Sequence, residues 1–292
     1  MNPMPTPLDA FFGNVILLDR PGLYAAQQVY TNAISEANDR IGGVRINERK
    51  TEVFSSTYFQ HRQYDRYIDA LLRDGGFQTA LDVGCGDGRG LDWFLRYDVE
   101  RSIGLDISLP ALHRYAEKGL HPSVSLVHAG ILDLDYRAEA FDLILAIESL
   151  YYLDTRYEEG IARLAKALKP GGMFLCSLPD PEACLLYSAL TNGFEDLHHL
   201  AANGQSYEYL DGAPHLIRSY TPAQNDALLE KHGLRPVARY GLSALPLLLL
   251  HLYYQNQPDN EAHRQDLIET LEALSSRDTS FNRLYLTAYR KA

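Results

Sequence analysis

Thr79-Ala-Leu-Asp-Val-Gly-Cys-Gly-Asp-Gly-Arg-Gly90 is the stretch on which the fold of this chain turns. Ala80 to Val83 is a short apolar run of the kind a buried parallel strand needs. Glycines then fall at 84, 86 and 88, and beyond them Leu91, Phe94 and Leu95 share one face of a helix. A strand, a glycine turn and a helix N-terminus together let backbone lie against a ligand. Glycine takes the tight dihedrals and has no Cβ to hold the ligand off. The spacing is not that of a dinucleotide fingerprint, whose third glycine would fall at position 89, where Arg89 stands.

Short apolar runs then alternate with helical patterns, the mark of a parallel α/β sheet. Ser102 to Asp106 reads as a second strand ending in an acid, Val124 to Ala129 as a third and Phe141 to Ile147 as a fourth. Lys169-Pro-Gly-Gly172 reads as a turn before a fifth strand, Met173 to Ser177. The alternation stops over 180–220, which has no clear sheet period and is rich in His and Tyr. It resumes with a helix capped at Thr221-Pro222, a strand over Leu234 to Tyr240 and a last strand over Arg283 to Tyr289. Leu245 to Tyr254 and Asn260 to Leu274 each suit a helix. On the N-terminal side, residues 1 to 20 read as an extended arm, Pro21 to Arg40 as a helix and Ile41 to Val53 as a loop. A second helix, capped at Ser55 or Ser56, runs to Arg73. The division expected is an arm with covering helices over 1–78 and a ligand-binding domain over 79–292.

Composition narrows the function classes. The 292 residues are 46% hydrophobic and 22% charged, as in ordinary globular proteins. A net charge of −11 without a long basic run argues against nucleic acid as a partner. The three cysteines, Cys85, Cys176 and Cys184, lack metal-ligand spacing, so free thiols and no metal are expected. Neither Phe11 to Leu18 nor Leu245 to Tyr254 is long enough to span a bilayer, and no secretory leader is visible, so a cytoplasmic location is expected.

Asp82-Val-Gly-Cys-Gly-Asp-Gly88 resembles the first motif of the class I S-adenosylmethionine-dependent methyltransferases. Asp106, Asp133, Phe141-Asp142, Lys169-Pro-Gly-Gly172 and the closing Leu284 to Lys291 fall where that pattern expects them. The resemblance implies a Rossmann-like α/β fold: a seven-stranded, mostly parallel sheet with helices on both faces, an N-terminal helical arm and an insertion after the fifth strand. It implies S-adenosylmethionine as methyl donor and S-adenosylhomocysteine as product. Asp82, Gly84, Cys85, Gly86 and Gly88 would form the cofactor loop, with Cys85 a small filler. Asp106 would accept from the ribose hydroxyls, and Ile107 and either Leu132 or Leu134 would pack on adenine. Asp133, with Asp135 as the alternative, would accept from the adenine amino group.

Glu148-Ser-Leu-Tyr-Tyr-Leu153 is similar to a run in the nodulation N-methyltransferase group. Glu148 would orient the cofactor or an amine acceptor, and Tyr151 or Tyr152 would line the acceptor pocket. The 212–221 segment is similar to one in quinone-biosynthesis O-methyltransferases, where a histidine lies near the acceptor. A histidine at neutral pH can take a hydroxyl proton, so His215 first and His199 second are the candidate bases. The function expected is metal-independent methyl transfer to an oxygen or nitrogen of a small molecule. The oligomeric state is left open. The competing readings are an NAD(P)-dependent oxidoreductase and a catalytically silent cofactor-binding subunit.

Overall fold

The structure, a computed structural model, describes residues 8–41, 56–185, 194–203, 205–210, 213–243, 264–275 and 282–292. The N-terminal part carries β1 (Val15–Leu17), β2 (Leu23–Ala26), α1 (Ala33–Ile41) and α2 (Ser56–Leu72). The central part runs β3 (Thr79–Val83), α3 (Arg89–Arg96), β4 (Arg101–Asp106), α4 (Leu109–Glu117), β5 (Val124–His128) and β6 (Phe141–Ala146). A 3-10 segment (Leu150–Arg156), α5 (Tyr157–Ala167) and β7 (Leu168–Pro179) follow. The remainder comprises α6 (Phe194–Asn203), β8 (Gln205–Leu210), β9 (Ala213–Arg218), α7 (Pro222–Glu230), β10 (Leu234–Ser243), α8 (Arg264–Ser275) and β11 (Asn282–Lys291).

The main sheet runs β1-β2-β5-β4-β3-β6-β7-β11-β10. From β2 to β7 the neighbours are parallel, while β11 runs antiparallel to both β7 and β10. Period-two alternation feeds two cores, one on each face. Leu81, Val83, Ile144 and Ala146 enter one, and Ala80, Leu143 and Leu145 enter the other. The chain leaves β3 toward β4 on one side and later returns to β6 on the other. The crevice at that switch point is where ligands bind in open α/β sheets.

Four sequence expectations change here. The sheet has nine strands rather than seven, because the arm adds β1 and β2 to its β5 edge. Leu23 to Ala26 is therefore strand, not the start of a helix. All four residues are buried beside β5, and ladder hydrogen bonds prevail over the helical spacing of Leu23, Ala26 and Val29. The helix of that segment begins only at Ala33.

The 180–220 stretch is not irregular, since it contains α6 and the β8–β9 hairpin, a two-stranded sheet of its own. Asp211-Gly212 stands between the two strands, a dipeptide that favours hairpins. Lys169 to Gly172 lies inside β7, yet it bulges. Phe141 pairs with Leu168 and Leu143 with Met173, so β7 spends three extra residues there, and Gly171 has φ +72. Ser55, residues 42–53 and the Leu245 to Tyr254 segment lie outside the described residues.

The arm is not a separate packing unit. Leu8, Phe11, Phe12 and Val15 belong to the same core as Phe141 and Ile144, and the Phe11 and Phe141 rings stack at 5.1 Å. Asn14 clamps it to the loop after β5, donating from Nδ2 to the Asp133 carbonyl at 2.8 Å and accepting on Oδ1 from the Asp135 amide at 2.8 Å.

Candidate active site

The glycine turn after β3 takes left-handed dihedrals at Gly84 (φ +76), Gly86 (φ +53) and Gly88 (φ +100). Each has its own reason. A Cβ on Gly84 would lie 2.5 Å from that of Ser149, and one on Gly88 would strike the Tyr115 ring at 2.1 Å. A Cβ on Gly86 would meet nothing within 4 Å. Gly86 is the position where bare backbone faces open space, and that space is a cavity of about 270 Å³ at the carboxyl ends of β3, β4 and β6.

Asp106, at the end of β4, braces the turn. Its Oδ2 accepts from the Gly86 amide at 2.7 Å and its Oδ1 from the Ser108 amide at 2.8 Å. Burial raises this carboxyl above its usual range, and those two amides pull against the rise. Each oxygen keeps further acceptor capacity toward the cavity. Ile107 also lines it, and the His128 Nε2 lies 3.0 Å from the Ile107 carbonyl.

Asp82 is only 3% exposed, and its Oδ2 has no hydrogen-bond partner among the described residues. Burial pushes its carboxyl up to about 7, against the pull of Arg89 and with Asp106 adding to the rise. A Cβ on Gly90 would come within 2.3 Å of that Oδ2, so Gly90 in the first turn of α3 is what lets the carboxylate fit. Cys85 is a buried thiol pushed well up by burial, which makes it inert filler beneath the turn.

Opposite the turn, Glu148 sits in the left-handed region (φ +57), and its amide donates to Ser177 Oγ at 2.8 Å. Its Oε1 accepts from both Arg89 Nη1 and Nη2 at 3.2 Å. The guanidinium lies over the rings of Tyr64 at 5.1 Å and Trp93 at 5.9 Å. Burial pulls Arg89 down, but Glu148, Tyr64 and Asp82 together more than offset it and the group stays charged. Tyr151, Tyr152 and Leu153, from the 3-10 segment, form an apolar wall, and Asn32, just before α1, reaches the same cavity.

Asp82, Gly84, Cys85, Gly86, Asp106, Ile107, Glu148 and Tyr152 thus line one cavity, and Gly88 shapes its turn from behind. Leu132 and Asp133 are not among the lining residues, which at that wall are Ala129, Gly130 and Ile131. Asp133 accepts on Oδ2 from the Gly130 amide at 2.8 Å and the Tyr30 amide at 3.3 Å, tying the lead into α1 to the loop after β5. His199 is exposed on α6. His215 is 6% exposed and shares the inward face of β9 with Ile217, outside the cavity lining, and its Nε2 has no partner among the described residues.

Sequence reasoning noticed Arg89 only as a missing glycine, and it missed Gly90 and Asn32. A glycine in a first helical turn, where alanine would serve the helix better, was the available signal for Gly90. Nothing local in sequence announces an Arg89–Glu148 pair 59 residues apart.

The sheet order and its crevice are those of the Rossmann-like fold of class I S-adenosylmethionine-dependent methyltransferases. Residues 81–176, from the middle of β3 into β7, match the family model described as a methyltransferase domain. The chain is similar to the methyltransferase GfsG of Streptomyces halstedii, 30% identical over 143 residues, which is 47% of this chain and 50% of that protein. The chain thus spans about half the length of that curated relative.

Among solved structures it resembles a putative S-adenosylmethionine-dependent methyltransferase from Listeria monocytogenes (TM-score 0.59, 17% identity, 80% of this chain and 99% of that one). It also resembles the N-methyltransferase NodS from Bradyrhizobium japonicum with bound S-adenosyl-L-homocysteine (TM-score 0.57, 16% identity, 89% and 99%). At such identities the likeness concerns the fold. No helix among the described residues is long and apolar enough to cross a membrane.

Proposed function

We propose that the chain transfers the methyl group of S-adenosylmethionine to an oxygen or nitrogen of a small-molecule acceptor, without a metal ion. The observation that carries this reading is the orphaned Asp82 Oδ2 beside the Gly86 opening. A buried carboxylate oxygen without a partner is costly unless a cationic or hydrogen-bonding ligand satisfies it. S-adenosylmethionine, which bears an ammonium and a sulfonium, fits that donor-poor, acid-lined wall.

When bound, the cofactor supplies an electrophilic methyl carbon. The chain's own residues have three tasks. Asp106, already oriented by the Gly86 and Ser108 amides, offers acceptor lone pairs to ribose hydroxyls. Ile107 and Ile131 give the adenine an apolar slot, and Asp82 holds the amino-acid end. Tyr151, Tyr152 and Leu153 exclude water from the acceptor side, which keeps nucleophile and methyl at near-attack distance.

A nicotinamide-dependent oxidoreductase is disfavoured because the third fingerprint position holds Arg89, whose side chain is committed to Glu148. Calorimetric titration with S-adenosylmethionine, S-adenosylhomocysteine and NADH tests the proposal. Micromolar binding of the two adenosyl ligands alone is the expected result. Binding of NADH alone, or of none of the three, would overturn it.

A further inference from the structure

Methylating a neutral amine and methylating a phenolate or carboxylate place opposite demands on a cavity. In the first case a neutral nitrogen lone pair attacks the methyl carbon. The carbon–sulfur bond breaks with its electron pair going to sulfur, and the positive charge moves from sulfur to nitrogen. In the second the same displacement cancels a negative charge on oxygen. Carboxylates near the acceptor atom help the first and oppose the second.

This cavity is lined by four acids, Asp82, Asp87, Asp106 and Glu148, and among the described residues Arg89 is the sole Lys, Arg or His side chain lining it. Asp82 and Asp106 border the glycine turn, and Asp87 lies 4.0 Å from Lys118. Glu148 is different. It leaves β6 at the sheet's ligand edge, beside Ser149 and the Tyr151–Leu153 wall. Arg89 engages only its Oε1, and Oε2 has no hydrogen-bond partner among the described residues. Asp82, nine-tenths buried with an unpartnered oxygen of its own, marks the same cavity as built for a ligand with donors and positive charge. Among the described residues no histidine lines the cavity to serve as base for a hydroxyl, and Arg89, already paired, is poorly placed to hold an acceptor anion.

We infer that the acceptor is an amine, and that Glu148 Oε2 receives its N–H and stabilises the positive charge that appears on nitrogen during methyl transfer. Arg89 is the positioning residue: donation from both Nη1 and Nη2 to Oε1 anchors that oxygen and leaves Oε2 for the acceptor. This inference rests on the methyl-transfer reading above.

The test is calorimetric binding to the full chain saturated with S-adenosylhomocysteine, using three probes of one shape: benzylamine, benzyl alcohol and benzoate. Benzylamine should bind at least about tenfold more tightly than the other two, the scale of one charge-assisted hydrogen bond. In Glu148→Gln that preference should vanish under conditions where S-adenosylhomocysteine still saturates the site, because the amide can still accept from Arg89. Equal binding of the three probes, a lead for the alcohol or benzoate, or an amine preference that survives in Glu148→Gln overturns the amine assignment. The wild-type probe series stands even where the variant fails to fold. Failure of S-adenosylhomocysteine itself to bind is a separate outcome, and it removes the methyl-transfer reading as well.

Discussion

The protonation of Asp82 offers a quantitative handle on the cofactor site. Its carboxyl sits at about 7 in the free protein against an ordinary 3.8, because burial is only partly relieved by Arg89, and Asp106 and Asp92 add to the rise. A folded-state value above the unfolded one means a contribution to stability that is complete below the ordinary value. That contribution is lost as pH climbs from 3.8 through about 7. The gap of roughly three pH units caps the effect at about 4 kcal/mol.

A ligand that brings positive charge to Oδ2 must bind the ionised form, so binding releases a proton below neutrality. With a midpoint near 7, S-adenosylmethionine affinity should rise about eightfold from pH 5.5 to 6.5 and only about fourfold more up to pH 8.5. Calorimetry in buffers of different ionisation enthalpy should register nearly one proton released at pH 6. In Asp82→Asn the slope should flatten, and the ligand-free protein should lose less thermal stability between pH 5 and 8. Asp106 remains in that variant, so a slope owed to it would persist. A pH-flat wild type, or the same slope in Asp82→Asn, refutes the assignment of Oδ2 to a cationic ligand group.

Three further substitutions probe the surroundings. Asp106→Ala should weaken S-adenosylhomocysteine binding by about 1.5–3 kcal/mol, as expected for lost hydrogen bonds to a charged acceptor, and unchanged calorimetric affinity would remove Asp106 from the site. Gly90→Ala should lower stability by about 1–3 kcal/mol through overpacking against Asp82, even though helix propensity alone favours alanine by about 1 kcal/mol. A higher melting temperature would refute that reading. Asn225 links two buried hydroxyls, accepting from Tyr157 at 2.8 Å and donating to Tyr289 at 2.8 Å. Asn225→Ala should therefore cost about 1–3 kcal/mol in urea unfolding without changing cofactor affinity, and a loss below about 0.5 kcal/mol would show the link to be dispensable.

The central half of the chain was legible because each strand there is short, apolar and bounded by turn chemistry. Asp82, Gly86 and Asp106 could be placed from their position at strand ends alone. The arm misled because Leu23-Tyr-Ala-Ala26 is compatible with either a helix or a buried strand, and the choice is made by β5, a hundred residues away. The hairpin is hard to read because its strands mix polar and apolar residues without a clean period, and the Asp211-Gly212 dipeptide is its one local turn signal. His215 illustrates the limit in the other direction. A polar residue in a polar stretch reads as accessible, yet the two-residue strand period turns it inward beside Ile217. Glu148 could be proposed from its place after β6, but its half-occupied carboxylate depends on Arg89, and that pairing exists only in three dimensions.

The β2 strand has a consequence for how the chain tolerates trimming. It pairs with β5 through Leu23–Leu126, Tyr24–Val127 and Ala25–His128, and β1 then caps it antiparallel. Without them β5, with Val124, Leu126 and Val127 buried, would become the rim of the sheet. Its open ladder would present itself to any extended chain nearby. Residues 15–26 therefore act as a selvedge. Removing them would leave the β3 to β7 framework intact in outline while inviting copies to join edge to edge, so insolubility should precede any loss of secondary structure.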